Sequence, residues 1–246
     1  MTGRELSFER LFNVRDLGGL RTADGRTVRP GLVYRSDDPH RATEADVEAL
    51  RALGIRTVID LRLDEEVEVR GSHVWTTLGL DPVRCSIMTQ EPVPENLARY
   101  IEPEFVRDEY LAMIADDDVA RRLWRALAAA GDEPRLIHCA SGRDRTAVIA
   151  AFLLETLGVS REDVLDDYEA SGTGMERMLA YIDEHVPDAV PMSEGNRYAF
   201  TRTPRACMAA FLDAVDDRWG SPVSYLEKLG LGPELDRLRA GLLTDG

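Results

Sequence analysis

Residues 135–158 read RLIHCASGRDRTAVIAAFLLETLG. An apolar run delivers Cys139 into a short polar loop, and the loop feeds a segment whose Ala147, Val148, Ala151, Phe152 and Leu154 suit a buried helix. The local reading is strand, loop, helix. Such a loop can curl so that successive backbone N–H groups point inward at the positive end of the helix, which makes a cradle for an anion.

A dianionic phosphate fits that cradle. Ala140, Ser141, Gly142, Arg143 and Asp144 line it, and Arg145 completes it by binding two phosphate oxygens side by side, as a planar guanidinium does and an ammonium cannot. The same field acts on Cys139, whose thiol should ionise below its free pKa of about 8.5. A thiolate facing bound phosphorus is poised for in-line attack, giving a phosphocysteine that water then hydrolyses. This chemistry calls for no metal and no cofactor. His138 is expected to orient the loop by hydrogen bonds. Thr146 either offers its hydroxyl to the sulfur in the second step or bonds its own helix backbone. Cysteine, five residues, arginine is a weak pattern by itself in a chain this rich in arginine, and the strand, Gly142 and helix around it make it specific.

Outward from the loop, the pattern is α/β. IRTVIDLR reads as a buried strand ending near Asp60, and RATEADVEALRALG as a helix capped by Thr43 with Asp46 and ended by Gly54. LRTADGRTVRPGLVYRSD alternates around Asp24-Gly25 as a hairpin would. DEEVEVRG predicts a short exposed helix and DPVRCSIMT a second strand. Two helices follow, EFVRDEYLAMIAD and DVARRLWRALAAAG, with the acidic run at Asp116 as a cap. SREDVLDDYEAS, GMERMLAYIDEHV, TPRACMAAFLDAVDDRWG, SYLEKLG and GPELDRLRAGLL extend a helical carboxyl-terminal part. The expectation is a central, mostly parallel sheet flanked by helices, with an amino-terminal hairpin, in one domain over residues 1–246. The stretch between His185 and Thr203 has no period and reads equally as a lid or a connector.

Composition sets limits. The 246 residues carry a formal charge of -15, which argues against nucleic acid or an anionic membrane as partner. Neither a signal peptide nor an apolar span is evident, so a cytoplasmic location is expected, with leaderless export left open. Three widely spaced cysteines, Cys85, Cys139 and Cys207, fit a reducing compartment. Lys228 is the sole lysine, so an arginine at any position can reflect habit as well as need.

HCASGRDRT resembles the active-site loop of the cysteine-dependent tyrosine and dual-specificity phosphatases, HCxxGxxR followed by Ser or Thr. FNVRDLGGLRTADGRTVRPGLVYRSD is similar to the amino-terminal segment of a bacterial and fungal branch of that family, where it reads close to NFRDLGG and continues to a strand ending in YRS. IDLR and VLDDY are comparable too, so the resemblance spans roughly residues 10 to 170. Two positions depart from it, Arg143 where members commonly have lysine and Ala147 where they have glycine; neither removes the nucleophile or the phosphate-binding arginine. The resemblance implies that helices from about residue 172 to 246 cover the site as a lid.

The leaving oxygen needs an acid, and two carboxyls compete. Asp60 stands where its strand runs out and resembles the aspartate of the family's DLR segment. Asp144 lies in the loop beside Arg145, as in the DRT loops of myotubularin-like phosphatases. The leading function is hydrolysis of phosphotyrosine on protein. A small phosphorylated metabolite (nucleotide, sugar phosphate or inositol phosphate) is the enzyme alternative, with Arg143 favouring extra negative charge. A phosphate-binding pseudophosphatase is the non-enzyme one. The oligomeric state is not set by the sequence.

Overall fold

The computed structural model describes residues 3–88, 93–186 and 192–244. Its organising strand is β5 (Arg135–His138), every residue of which is buried. β5 lies between β2 (Val33–Ser36) and β3 (Thr57–Asp60) and pairs parallel with both; β4 (Val83–Arg84) extends the sheet parallel to β3, and β1 (Arg15–Asp16) runs antiparallel on β2. A strand buried on both faces needs apolar side chains pointing both ways. Leu136 points into a core with Tyr34, Val58, Leu50 and Trp75, while its neighbour Ile137 enters a larger core with Val33, Ile59 and Phe152.

Helices cover both faces. α1 (Glu44–Ala52), α2 (Asp64–Arg70) and α3 (His73–Thr77) follow β2 and β3, with a 3-10 helix at Pro39–Arg41. A 3-10 helix at Pro94–Arg99 precedes α4 (Pro103–Met113) and α5 (Asp117–Ala129). α6 (Asp144–Thr156) starts at the loop after β5 and is almost wholly buried. α7 (Arg161–His185), α8 (Glu194–Phe200), α9 (Arg205–Trp219), α10 (Pro222–Lys228) and α11 (Gly232–Leu242) complete the chain. Phe211, Leu226 and Leu238 from the last helices share the large core with Ile137 and Phe152. None of the described helices is long and apolar enough to cross a membrane.

The expected caps are present. Thr43 and Asp46 form a reciprocal capping box, Ser160 accepts from the Asp163 amide, and Asp116 accepts from the amides of Asp118 and Val119. The hairpin is present: around Asp24-Gly25 Arg21 and Thr27 bridge each other, the Thr22 amide donates to the Arg26 carbonyl and the Val28 amide to that of Leu20, while Thr22 and Val28 also pair with Val159 and Leu243. The second strand shrinks to β4, and the aperiodic stretch contains α8, with residues 187–191 of it outside the described residues.

α7 is one helix where two were expected. Its glycines sustain it for a packing reason: a Cβ on Gly174 would lie 2.6 Å from the Phe12 carbonyl oxygen. Helix propensity favours alanine over glycine by about 1 kcal/mol, and this contact reverses the sign. Gly174→Ala should lower stability in urea denaturation by roughly 1–3 kcal/mol. An unchanged or raised midpoint would mean that the Phe12 segment yields at no cost.

Candidate active site

The loop after β5 is held from outside. His138 Nδ1 lies 3.2 Å from the Cys139 carbonyl, and the Asp38 amide donates to the Ala140 carbonyl at 3.1 Å. Asn13 Nδ2 donates to Ser141 O at 3.1 Å, and Arg35 Nη2 to Gly142 O at 2.7 Å. In a trans peptide the N–H points opposite to the preceding C=O. Four consecutive carbonyls turned outward therefore turn the amides of Ala140, Ser141, Gly142 and Arg143 toward the inside, where the described residues offer them no acceptor. Gly142 makes the bend possible with φ at +66°, and a Cβ there would strike the Ser36 carbonyl oxygen at 2.6 Å.

Each donor has its own support. Trp75 Nε1 donates to His138 Nε2 at 3.2 Å, which leaves the proton of the imidazole on Nδ1, facing the Cys139 carbonyl. Burial pushes the His138 pKa down, so the ring is neutral. Arg35 is fully buried; burial and the neighbouring Arg15 push its pKa down to about 10, against the pull of Asp167 and the Cys139 sulfur. Asp167 joins it to Arg15 and Arg4 by ion pairs of 2.6, 2.9 and 3.2 Å respectively.

Arg145 opens α6, and its side chain is aimed by a residue the sequence reading missed. Glu66 of α2 accepts from Nη1 at 2.5 Å and from Nη2 at 2.9 Å. That end-on pair leaves the Nε–Nη2 edge for a second anion. Burial works against the charge, yet the Cys139 sulfur and Glu66 raise the Arg145 pKa above its usual value. Cys139, 1% exposed, thus stands at the floor of a ring of inward amides with two guanidinium groups in electrostatic reach. Such a ring can hold a tetrahedral dianion against sulfur.

A model of the tyrosine phosphatase family matches residues 6–244. A Cupriavidus necator protein that carries a tyrosine-protein phosphatase name is 33% identical over 242 residues, covering 90% of this chain and 82% of that protein. This chain belongs to the tyrosine phosphatase family. The triple specificity protein phosphatase PtpB of Mycobacterium tuberculosis is 28% identical, over 94% of this chain and 96% of its own. A tyrosine-protein phosphatase of Nostoc commune is 27% identical over 85% of this chain and 73% of its length.

In this phosphatase the two competing carboxyls stand in different surroundings. Asp60 is fully buried at the end of β3, opposite His138, with Oδ2 at 2.7 Å from both Arg62 Nη2 and Arg84 Nη1. Burial alone would raise its pKa; the bonds and charge of Arg62 hold it below the usual carboxylate range. Asp144 sits at the first turn of α6 with its side chain 20% exposed. Its Oδ1 accepts from Tyr110 at 2.7 Å and its Oδ2 from Arg143 Nε at 3.0 Å.

Arg143 does not face the cradle as its charge suggested. Its Nη1 donates to the carbonyls of Ala199 and Phe200 at the end of α8, at 2.9 and 2.8 Å, and its Nε to Asp144, which ties the guanidinium to α8 and the loop carboxylate. Thr146 Oγ1 is buried with no hydrogen-bond partner among the described residues, so of its two alternatives the bond to its own helix backbone is not formed. The FNVRD segment, which entered the sequence reading only through the family resemblance, supplies Asn13 and Arg15 to the support of the loop. Nothing in the period of DEEVEVRG marked Glu66.

Asp37 carries a pH dependence. Its carboxylate accepts from the amides of Phe12 and Asn13 at 3.0–3.1 Å, and burial pushes its pKa up to about 7 despite those bonds, with Asp38 adding to the rise. The unfolded chain releases this proton near pH 4 and the folded one holds it to about pH 7. Its stabilising contribution is therefore complete below about pH 4 and is lost as pH rises through 7. Asp37→Asn keeps an oxygen for both amides and removes the titration. It should be more stable than the parent at pH 8 by ~1–2 kcal/mol and no better at pH 4; equal effects at the two pH values in urea melts would refute the assignment.

Proposed function

We propose that this protein hydrolyses phosphotyrosine on protein through a Cys139 phosphocysteine. The observation that carries the reading is the set of four outward-held carbonyls around Cys139, which turns the amides of residues 140–143 inward, with the Arg145 guanidinium held by Glu66 in electrostatic reach of the sulfur. In the first step the Cys139 sulfur bonds phosphorus as the phosphorus–oxygen bond to the tyrosine breaks, and the equatorial oxygens stay on donors already in place. In the second, water attacks phosphorus and the thiolate leaves; the unpartnered Thr146 hydroxyl supports a role in stabilising it.

Asp144 is our candidate for the acid that protonates the leaving oxygen. Its partial exposure and its place in the loop favour it over Asp60, whose oxygens are committed to Arg62 and Arg84 and which we read as a support of the sheet edge. The metabolite reading rested on Arg143, and the engagement of that guanidinium with α8 weakens it. The same bonds support reading the segment from about residue 172 as a cover tied to the loop.

The deciding assay is phosphate release from a matched panel of phosphotyrosine peptides, phosphoserine peptides, phosphoinositides and nucleoside monophosphates. Phosphotyrosine peptides should be the best substrates and Cys139→Ser should release nothing; a metabolite turned over faster, or release surviving the substitution, would overturn the reading. Asp144→Asn should slow phenyl phosphate about 10²-fold and p-nitrophenyl phosphate far less, whereas Asp60→Asn should slow both alike. For the cover, Arg143→Ala should speed hydrogen exchange across α8 while leaving β5 protected; unchanged exchange in α8 would show that the tether does not hold it.

A further inference from the structure

Tyr110 is a buried tyrosine of α4 that the phosphatase reading leaves without a task. Val106, Tyr110 and Met113 lie on the buried face of α4, which packs on α9. The Tyr110 ring is wedged there, with Phe211 of α9 edge-on at 5.6 Å and Tyr168 of α7 edge-on at 6.4 Å. Aromatic pairs at these spacings restrict each other's orientation, so the hydroxyl has one place to be. That place is 2.7 Å from Asp144 Oδ1 and 3.1 Å from the Tyr168 hydroxyl.

A phenol buried this deeply needs a hydrogen-bond partner. Here its proton is given to a loop carboxylate, and since Tyr110 donates to Asp144, the Tyr168 hydroxyl is the donor to Tyr110. The three groups form a directed chain from α7 through α4 to the loop, in which each bond polarises the next. We propose that Tyr110 is a positioning residue of the reaction: through its hydroxyl on Oδ1, backed by Tyr168, it fixes the Asp144 carboxyl that serves the leaving oxygen. The proposal rests on the reading of Asp144 as the acid.

The charged and titratable groups around Asp144 come from several elements. Arg143 and Arg145 lie on its own segment, Tyr100 ends the 3-10 helix before α4, Tyr110 comes from α4, Tyr168 from α7 and Cys207 from α9. Burial and the nearby Asp144 carboxylate both keep Tyr110 protonated, which preserves it as a donor over the working range of pH. A donor on Oδ1 holds the carboxyl in one orientation, so its removal leaves Asp144 free to turn away from the leaving oxygen. General-acid catalysis needs that placement, and its loss is read as a split between a leaving group that needs a proton and one that does not.

The test compares Tyr110→Phe, Tyr168→Phe and Asp144→Asn with the parent enzyme on phenyl phosphate and p-nitrophenyl phosphate. Tyr110→Phe should lower kcat for phenyl phosphate several-fold more than that for p-nitrophenyl phosphate. Tyr168→Phe, which leaves the Tyr110 hydroxyl in place, should give the same split to a smaller degree and keeps the test open if the first variant folds poorly. A merely structural role would lower both substrates together in either variant and would overturn the proposal. Asp144→Asn separates the two levels. Selective loss on phenyl phosphate in Asp144→Asn with no split in either tyrosine variant sinks the proposal alone, whereas equal slowing of both substrates by Asp144→Asn removes the acid reading and the proposal with it.

Discussion

Four carbonyls, those of residues 139 to 142, cannot turn inward without breaking bonds to His138, Asp38, Asn13 and Arg35. Everything the site can do with an anion follows from that constraint. The donors come from the loop's own strand, the end of β2, the segment before β1 and β2 itself, so the loop's shape belongs to the sheet and the amino-terminal segment together. Preorganised amides of this kind need no rearrangement when negative charge develops, which is where such sites have most of their effect.

Holding that shape requires charge in the interior. Asp167 with Arg15 and Arg35, and Asp38 and Asp60 with Arg62, are ion pairs at the ends of β1, β2 and β3, almost fully buried. Such pairs are a poor source of stability, because desolvation consumes much of their attraction. Their bonds are directional, however, and each pair ends on the loop or beside it: Arg35 on the Gly142 carbonyl, Asp38 through its amide on Ala140, Asp60 beside His138. Asp37, a buried carboxyl without a cation, is pushed toward neutral pH by burial.

The two aspartates separate by surroundings. Both stand near the carboxyl ends of adjacent parallel strands, β3 and β5, as sites in open α/β sheets do. Asp60 is enclosed by guanidinium groups, while Asp144 meets one guanidinium, one phenol and some solvent. Arg143 has an equally divided task, since its backbone belongs to the cradle and its guanidinium to the end of α8.

The strand, loop and helix around Cys139 were legible because local rules determine them. Apolar residues make the strand, Gly142 permits the positive φ, and a run of buried-type residues makes α6. The caps at Thr43, Asp116 and Ser160 were legible for the same reason, as they act within three residues. The hairpin at Asp24-Gly25 was legible too, but the pairing of its arms with Val159 and Leu243, more than a hundred residues away, was not. Glu66, Asn13, Arg35 and Tyr110 left no local mark either, since each acts across the fold on a loop distant in sequence. The sequence by itself determined the α/β class, the cradle and its cysteine and arginine, all of which depend on neighbours along the chain. Tertiary structure alone decided which side chains turn the loop inside out, where Arg143 points and which carboxyl keeps access to solvent, because those depend on contacts that only folding brings together.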